Sequence, residues 1–107
     1  MPSVGFQAIS EMQLFFKMKI QFPNGFAKLT DCGKIDFEVD CKTIREGLDL
    51  ILRSQNNLRE LIYDSDNKIH GYINIYMNGE DIRFYDGIDT EASLESEVVL
   101  IMAVAGG

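Results

Sequence analysis

The chain has no tryptophan, only two prolines, two cysteines and a single histidine, and no long apolar run. Each scarcity removes a class of function. A structural zinc site needs about four closely spaced Cys or His ligands. Here Cys32 and Cys41 stand apart, without a C-x-x-C, and His70 follows a polar loop. The sequence therefore offers no metal site, and a Cys/His catalytic pair has no supporting frame. A disulfide is not expected in a reducing compartment, so both cysteines read as small, partly buried apolar residues and His70 as an exposed one. No apolar run approaches the ~18 residues that cross a bilayer. The start, Met1-Pro2-Ser3-Val4-Gly5, lacks the basic, then apolar, pattern of a secretory leader. The expectation is a cytoplasmic protein with no membrane partner. Positive charge is also scarce: 10 Lys and Arg face 17 Asp and Glu, for a net −7. Phosphate backbones would be repelled, which excludes nucleic acid as a partner class. An acidic surface suits a solvated monomer, or one that docks on a basic partner.

What is present fits one small domain of 107 residues. Residues 1–13 show no period and read as a flexible extension, leaving 14–107 as the domain. In residues 14–22, Phe16, Met18, Ile20 and Phe22 alternate with Lys17, Lys19 and Gln21, the period of a half-buried strand. Pro23-Asn24-Gly25 stops it, and a loop runs to about Lys34. Ile35–Asp40 alternates again. Thr43 and Glu46 form a capping box, each side chain placed to satisfy the other residue's backbone N–H. Ile44, Leu48, Ile51 and Leu52 then fall on one helical face. Gly47 is a weak point in that helix. Leu58, Leu61 and Ile62 predict a short second helical turn, and Asp64–Lys68 a loop. Tyr72–Met77 is a third strand. Asn78-Gly79 is a hairpin signal, since both residues accept the positive φ of a type I′ turn. Glu80–Phe84 is expected to return as a fourth strand, 88–96 to be irregular, and the last strand to run from about Glu97 to Val104.

The order β-β-α-β-β-β makes the first two strands a hairpin with the helix across the sheet. The last strand is too apolar for an open edge and is expected to insert beside the first. The result is an α+β chain of β-grasp, ubiquitin-like type, with a mixed sheet of four to five strands and one main helix on one face.

No side-chain constellation carries chemistry. There is no nucleophile–base pair, no phosphate loop and no framed pair of carboxylates, so the chain does not read as an enzyme. What remains is Gly106-Gly107, after the apolar run Val98–Val104. Without Cβ atoms, two glycines can lie against a partner's backbone inside a narrow channel. A loose terminus with no role has the same letters. If the Gly107 carboxylate is the working group, a partner must first activate it as an acyl-adenylate. A thiolate or sulfide can then attack.

The segment from Asn74 to Phe84 (N-I-Y-M-N-G-E-D-I-R-F), the run Asp86-Gly87-Ile88-Asp89-Thr90 and the ending Ala103-Val104-Ala105-Gly106-Gly107 resemble the MoaD/ThiS family of ubiquitin-like sulfur carriers. Phe22-Pro23, Thr30 and Thr43-Ile44-Arg45-Glu46 resemble the same family, so the likeness spans roughly residues 16–107. It departs at Met102, where such chains commonly have Pro, at Leu94-Glu95, where many have an Asp-Gly turn, and at Phe26-Ala27, where a Leu-Arg pair is usual. The resemblance implies a β-grasp fold and a carrier that binds no cofactor itself. In that family the last glycine, here Gly107, is adenylated by a ubiquitin-activating-type adenylyltransferase that uses ATP, and then becomes a thiocarboxylate. Val104, Ala105 and Gly106 would thread the partner's channel. The sulfur would pass to the large subunit of molybdopterin synthase, the expected acceptor here, or to a cysteine, thiamine or tRNA-thiolation enzyme. Conjugation to lysines, as a ubiquitin-like modifier, and a non-covalent binding module are the alternatives. Phe84, Tyr85 and the outward part of the last strand, Met102 included, are expected to dock the partner. The competing reading packs Phe84 beneath residues 88–96.

Overall fold

The computed structural model describes residues 16–30, 33–93 and 95–103. The extension expected at 1–13, Cys32 and the last four residues lie outside these. Seven elements follow one another: β1 (Phe16–Gln21), β2 (Asp36–Cys41), α1 (Ile44–Ser54), α2 (Asn56–Ile62), β3 (Ile73–Met77), β4 (Glu80–Asp81) and β5 (Glu95–Met102). The strands form one mixed sheet in the order β2-β1-β5-β3-β4. β5 runs parallel to β1 and antiparallel to β3, while β1 with β2 and β3 with β4 are antiparallel. The apolar last strand is thus central, covered on both edges, as its composition requires. The fold is the expected β-grasp.

Alternation sets the register. Met18 pairs with Val39 and Ile20 with Phe37, so both strands turn their apolar residues to the helix side and Lys17, Lys19, Glu38 and Asp40 to the other. Ser96, Val98 and Leu100 of β5 and Ile73 and Ile75 of β3 complete the inner face. Ile44, Leu48, Ile51 and Leu52 of α1 bury against it, each side chain contributing about 1.5–3 kcal/mol relative to exposure. Gly47 is buried in that contact. A Cβ there would lie 3.0 Å from Cys41 Sγ, 3.2 Å from Ile20 Cδ1 and 3.3 Å from Met18 Sδ. The glycine expected to weaken the helix is what lets it approach the sheet.

Several local expectations need correction. Thr43 does cap α1, its hydroxyl accepting the Glu46 N–H at 3.2 Å. Glu46, however, accepts from the Lys42 N–H at 3.0 Å, one residue earlier than a reciprocal box would place it. The segment after β1 is not a plain loop: Asn24–Leu29 forms 3-10 turns that seat Phe26 in the core, its ring stacked on Phe22 at 6.4 Å. Asn78 (φ 52) and Gly79 (φ 87) make the expected turn. The fourth strand is shorter than expected. The Asp81 carboxylate accepts the Arg83 N–H at 2.8 Å and caps a 3-10 turn over Ile82–Phe84, so the chain leaves the sheet after two residues. The segment expected to turn at Asp86-Gly87 and run on irregularly forms a 3-10 turn at Gly87–Asp89 and is tied to the start of α1. Ile44 donates to the Thr90 carbonyl, Ala92 to the Lys42 carbonyl at 2.7 Å, and Arg45 pairs with Asp89 at 2.8 Å. Thr90, buried, holds the turn by donating to the Gly87 carbonyl and accepting from the Asp86 N–H. β5 begins at Glu95 and ends at Met102. His70 is half-buried, its Nε2 2.9 Å from the Glu60 carbonyl and its ring stacked on Tyr72 at 4.7 Å.

Candidate functional site at the end of β5

The end of β5 is built by a mismatch of strand lengths. β1 pairs with β5 only as far as Gln21 opposite Val99, and then turns away at Pro23. Leu100–Met102 therefore continue beyond it, held by β3 alone through Asn74–Ile101 and Ile73–Met102 pairing. Ala103, the last described residue, donates to the Tyr72 carbonyl at 2.6 Å. Up to this point the chain is fixed by a central strand. A shallow depression of about 250 Å³ lies beside it, between Phe22-Pro23-Asn24 and Leu100–Met102. Val104, Ala105, Gly106 and Gly107 lie outside the described residues.

The outer face of the sheet near this end is apolar in its centre. Val99 and Ile101 point outward there, with Ile101 46% exposed. Tyr76 stands opposite Val99 and Asn74 opposite Ile101. Met102, 39% exposed, has the parity of buried Leu100 and so belongs to the helix side, unlike Ile101. Of the part of the last strand expected to face outward, Ile101 does so and Met102 lies on the opposite side. The buried Val98 and Leu100 set the phase, and a sequence without a known sheet partner does not reveal which set is buried.

Phe84 is 85% exposed and does not pack beneath residues 88–96. Tyr85 is half-exposed, its hydroxyl bonded to the Glu80 carboxylate, which pushes the phenol up from its usual range. Both follow β4, and β3 lies between β4 and β5. The structure thus places two exposed apolar areas, one on β5 and one beyond β4, where a single patch was expected. The neighbouring charges are self-paired. Arg83 holds the Asp81 carboxyl below its usual range through a 2.6 Å contact, and Arg45 does the same to Asp89. Cys41 is buried beneath α1, its thiol pushed up to about 11 chiefly by desolvation, so it is no nucleophile at neutral pH. Among the described residues no three His, Cys, Asp or Glu side chains gather as metal ligands, and no helix is long and apolar enough to cross a membrane.

No protein-family model matches the chain. It is 31% identical over 75 residues, 70% of this chain and 85% of the other, to the "Putative sulfur carrier protein" of Archaeoglobus fulgidus. Its structure is similar to that in the BexX/CysO complex of Amycolatopsis orientalis, with TM-score 0.73 and 27% identity over 84% of this chain and 99% of that one. The small archaeal modifier protein 1 of Methanosarcina acetivorans superposes with TM-score 0.74 over 87% of this chain and 98% of that one, at 19% identity, a likeness of fold alone.

Proposed function

We propose a working end for this chain from one premise: it belongs to the ubiquitin-like sulfur carrier family. Carriers of this kind are substrates of other enzymes and not catalysts. The observation that carries the reading is the continuation of β5 past β1 to Met102, with Ala103 still bonded to the Tyr72 carbonyl, so that the described chain ends on a central strand beyond the reach of β1. On this reading the Gly107 carboxylate attacks the α-phosphate of ATP in an activating adenylyltransferase, releasing pyrophosphate and leaving an acyl-adenylate. A sulfur nucleophile then adds to the acyl carbon, AMP departs, and Gly107 ends as a thiocarboxylate. The protein binds no cofactor, and the ATP belongs to the partner. Val104, Ala105 and Gly106 thread the partner's channel, where side chains larger than these would clash. Val99, Ile101 and Tyr76 dock beside the tail, and Phe84 and Tyr85 form a second contact.

The reading carries with it a natural chain that ends at Gly107, which intact mass of the protein from its own host reads directly. The test is then incubation with ATP, a sulfur donor and the activating enzyme of the same host, followed by intact mass. Replacement of one carboxyl oxygen by sulfur is expected, and deletion of Gly106-Gly107 should abolish it. An unchanged mass with an enzyme that does hydrolyse ATP in its presence would sink the reading.

For the acceptor, the first reading is the large subunit of molybdopterin synthase, which rests on the family resemblance of the Ala103–Gly107 ending and on how widespread such endings are. The likeness to the structure of a BexX/CysO complex favours a second reading, delivery to a different sulfur-accepting enzyme such as one that forms cysteine. Thiocarboxylated protein offered to each acceptor with its substrate separates the two: sulfur leaves Gly107 only with the right one.

A further inference from the structure

The last turn of a helix leaves backbone carbonyls without partners inside the helix. In α2 the Tyr63 N–H takes the Arg59 carbonyl, and the next three are taken from one place in the chain. The Glu60 carbonyl accepts from His70 Nε2 at 2.9 Å, the Leu61 carbonyl from the Tyr72 hydroxyl at 3.3 Å and the Ile62 carbonyl from the His70 backbone N–H at 3.0 Å. A carbonyl only accepts, so the His70 ring carries a proton on Nε2. The rings of His70 and Tyr72 lie face to face, 4.7 Å apart and within 13° of parallel. The main chain between them makes a tight turn, closed by the Ile73 N–H donating to the His70 carbonyl at 3.0 Å. Tyr72 is therefore held by its ring face, by its hydroxyl and by the turn. Its carbonyl accepts the Ala103 N–H at 2.6 Å, one rung beyond the last strand pair, Ile73–Met102.

We propose that His70 is a positioning residue for the tail: stacked on Tyr72 and bonded to the end of α2, it fixes the Tyr72 carbonyl, and through it the Ala103 amide that the last four residues follow. The inference rests on the role proposed for Gly107. A carboxylate carried on a short tether reaches a partner's active site best from a constant origin. Every backbone residue set loose at that origin must be ordered again when the tether enters the channel. An imidazole suits the task in two ways. Its flat face matches the Tyr72 ring, and its far nitrogen donates to the helix end, so the stack cannot turn without breaking that bond. The helix end thereby braces the last rung of β5 from outside the sheet, at a place where β1 no longer supports the strand.

Amide hydrogen exchange of the full chain reads the anchor residue by residue. His70→Ala is expected to speed exchange at Ala103 about tenfold, by loss of the stack and of one hydrogen bond. Ile101, paired with Asn74 further inside the sheet, should change by less than about twofold, because its opening does not involve Tyr72. His70→Phe keeps a stacked ring and should stay within about threefold of the parent at Ala103. Tyr72→Phe keeps the stack, loses only the bond to the Leu61 carbonyl, and should speed Ala103 about threefold. With the activating enzyme and ATP, kcat/KM for adenylate formation should fall about tenfold in His70→Ala and recover in His70→Phe. Unchanged Ala103 exchange in His70→Ala overturns the proposal. So does equal acceleration at Ile101, which would make His70 a stabiliser of the whole fold, or His70→Phe behaving as His70→Ala. Parent-like adenylation of His70→Ala overturns it as well. A parent chain that is never adenylated removes instead the role proposed for Gly107, and the exchange rates still decide whether His70 holds the anchor.

Discussion

Replacing Gly47 by alanine tests how α1 meets the sheet. In an exposed helix the change would stabilise by about 1 kcal/mol, because alanine loses less backbone entropy. Here the added methyl meets Cys41 Sγ at 3.0 Å, Ile20 Cδ1 at 3.2 Å and Met18 Sδ at 3.3 Å. All three neighbours are fully buried core residues, so relief requires the helix to lift or the strands to shift. Overpacking of this kind costs about 1–3 kcal/mol. The opposing terms leave Gly47→Ala less stable than the parent by up to about 2 kcal/mol, read as a lower urea midpoint at unchanged slope. The tightest contact is with sulfur, which supplies an internal control. Cys41→Ala removes that atom, so Gly47→Ala should cost less in the Cys41→Ala background, with a coupling of at least about 0.5 kcal/mol. If Gly47→Ala raises stability by about 1 kcal/mol in both backgrounds, the helix is not held close to the sheet by the missing Cβ, and the packing argument fails.

Three further outcomes follow from single contacts. Asp64 accepts the Asp66 and Lys68 N–H groups at 2.8 and 3.0 Å, and the Lys68 bond chiefly lowers its pKa. A depressed carboxyl contributes stability above its unfolded value and loses it as pH falls through the folded one. Asp64→Asn should therefore melt below the parent at neutral pH, with the gap closing in acid, and a gap constant with pH would refute this. Asn78 combines φ 52 with a side-chain oxygen that accepts the Glu97 N–H at 2.9 Å. Asn78→Ala should lose about 2 kcal/mol by chemical denaturation, from αL strain plus the lost bond, and Asn78→Gly about 1 kcal/mol, from the bond alone. Phe84 is almost wholly in solvent, so Phe84→Asp should leave the melting temperature unchanged and weaken binding to the activating enzyme or acceptor about tenfold by titration calorimetry, as for an aromatic anchor. Unchanged affinity for both would remove Phe84 from the docking surface.

The sequence by itself determined the elements and the inner faces of the alternating strands. Met18, Ile20, Ile73 and Ile75 lie on strands of alternating apolar character, and that pattern needs no partner to be read. The Thr43 cap and the positive φ angles of Asn78-Gly79 act within a few residues of themselves, so those roles are local and visible. The apolar weight of the last strand was enough to put it in the middle of the sheet. Only the tertiary structure decided what depends on distant groups. Phe26 is a core residue because Phe22 lies across from it, and Gly47 is a packing device because Cys41 and Met18 arrive from two strands. Ile101 faces out and Met102 in because β5's phase is set by what covers Val98 and Leu100. β4 is cut short by one carboxylate turning back on its own chain at Asp81, and the opening this leaves along β3 is walled by residues as far apart as Arg45, Lys68 and Ile88. Composition and spacing report what each residue prefers; which side chains meet is settled only when long-range pairing brings their backbones together.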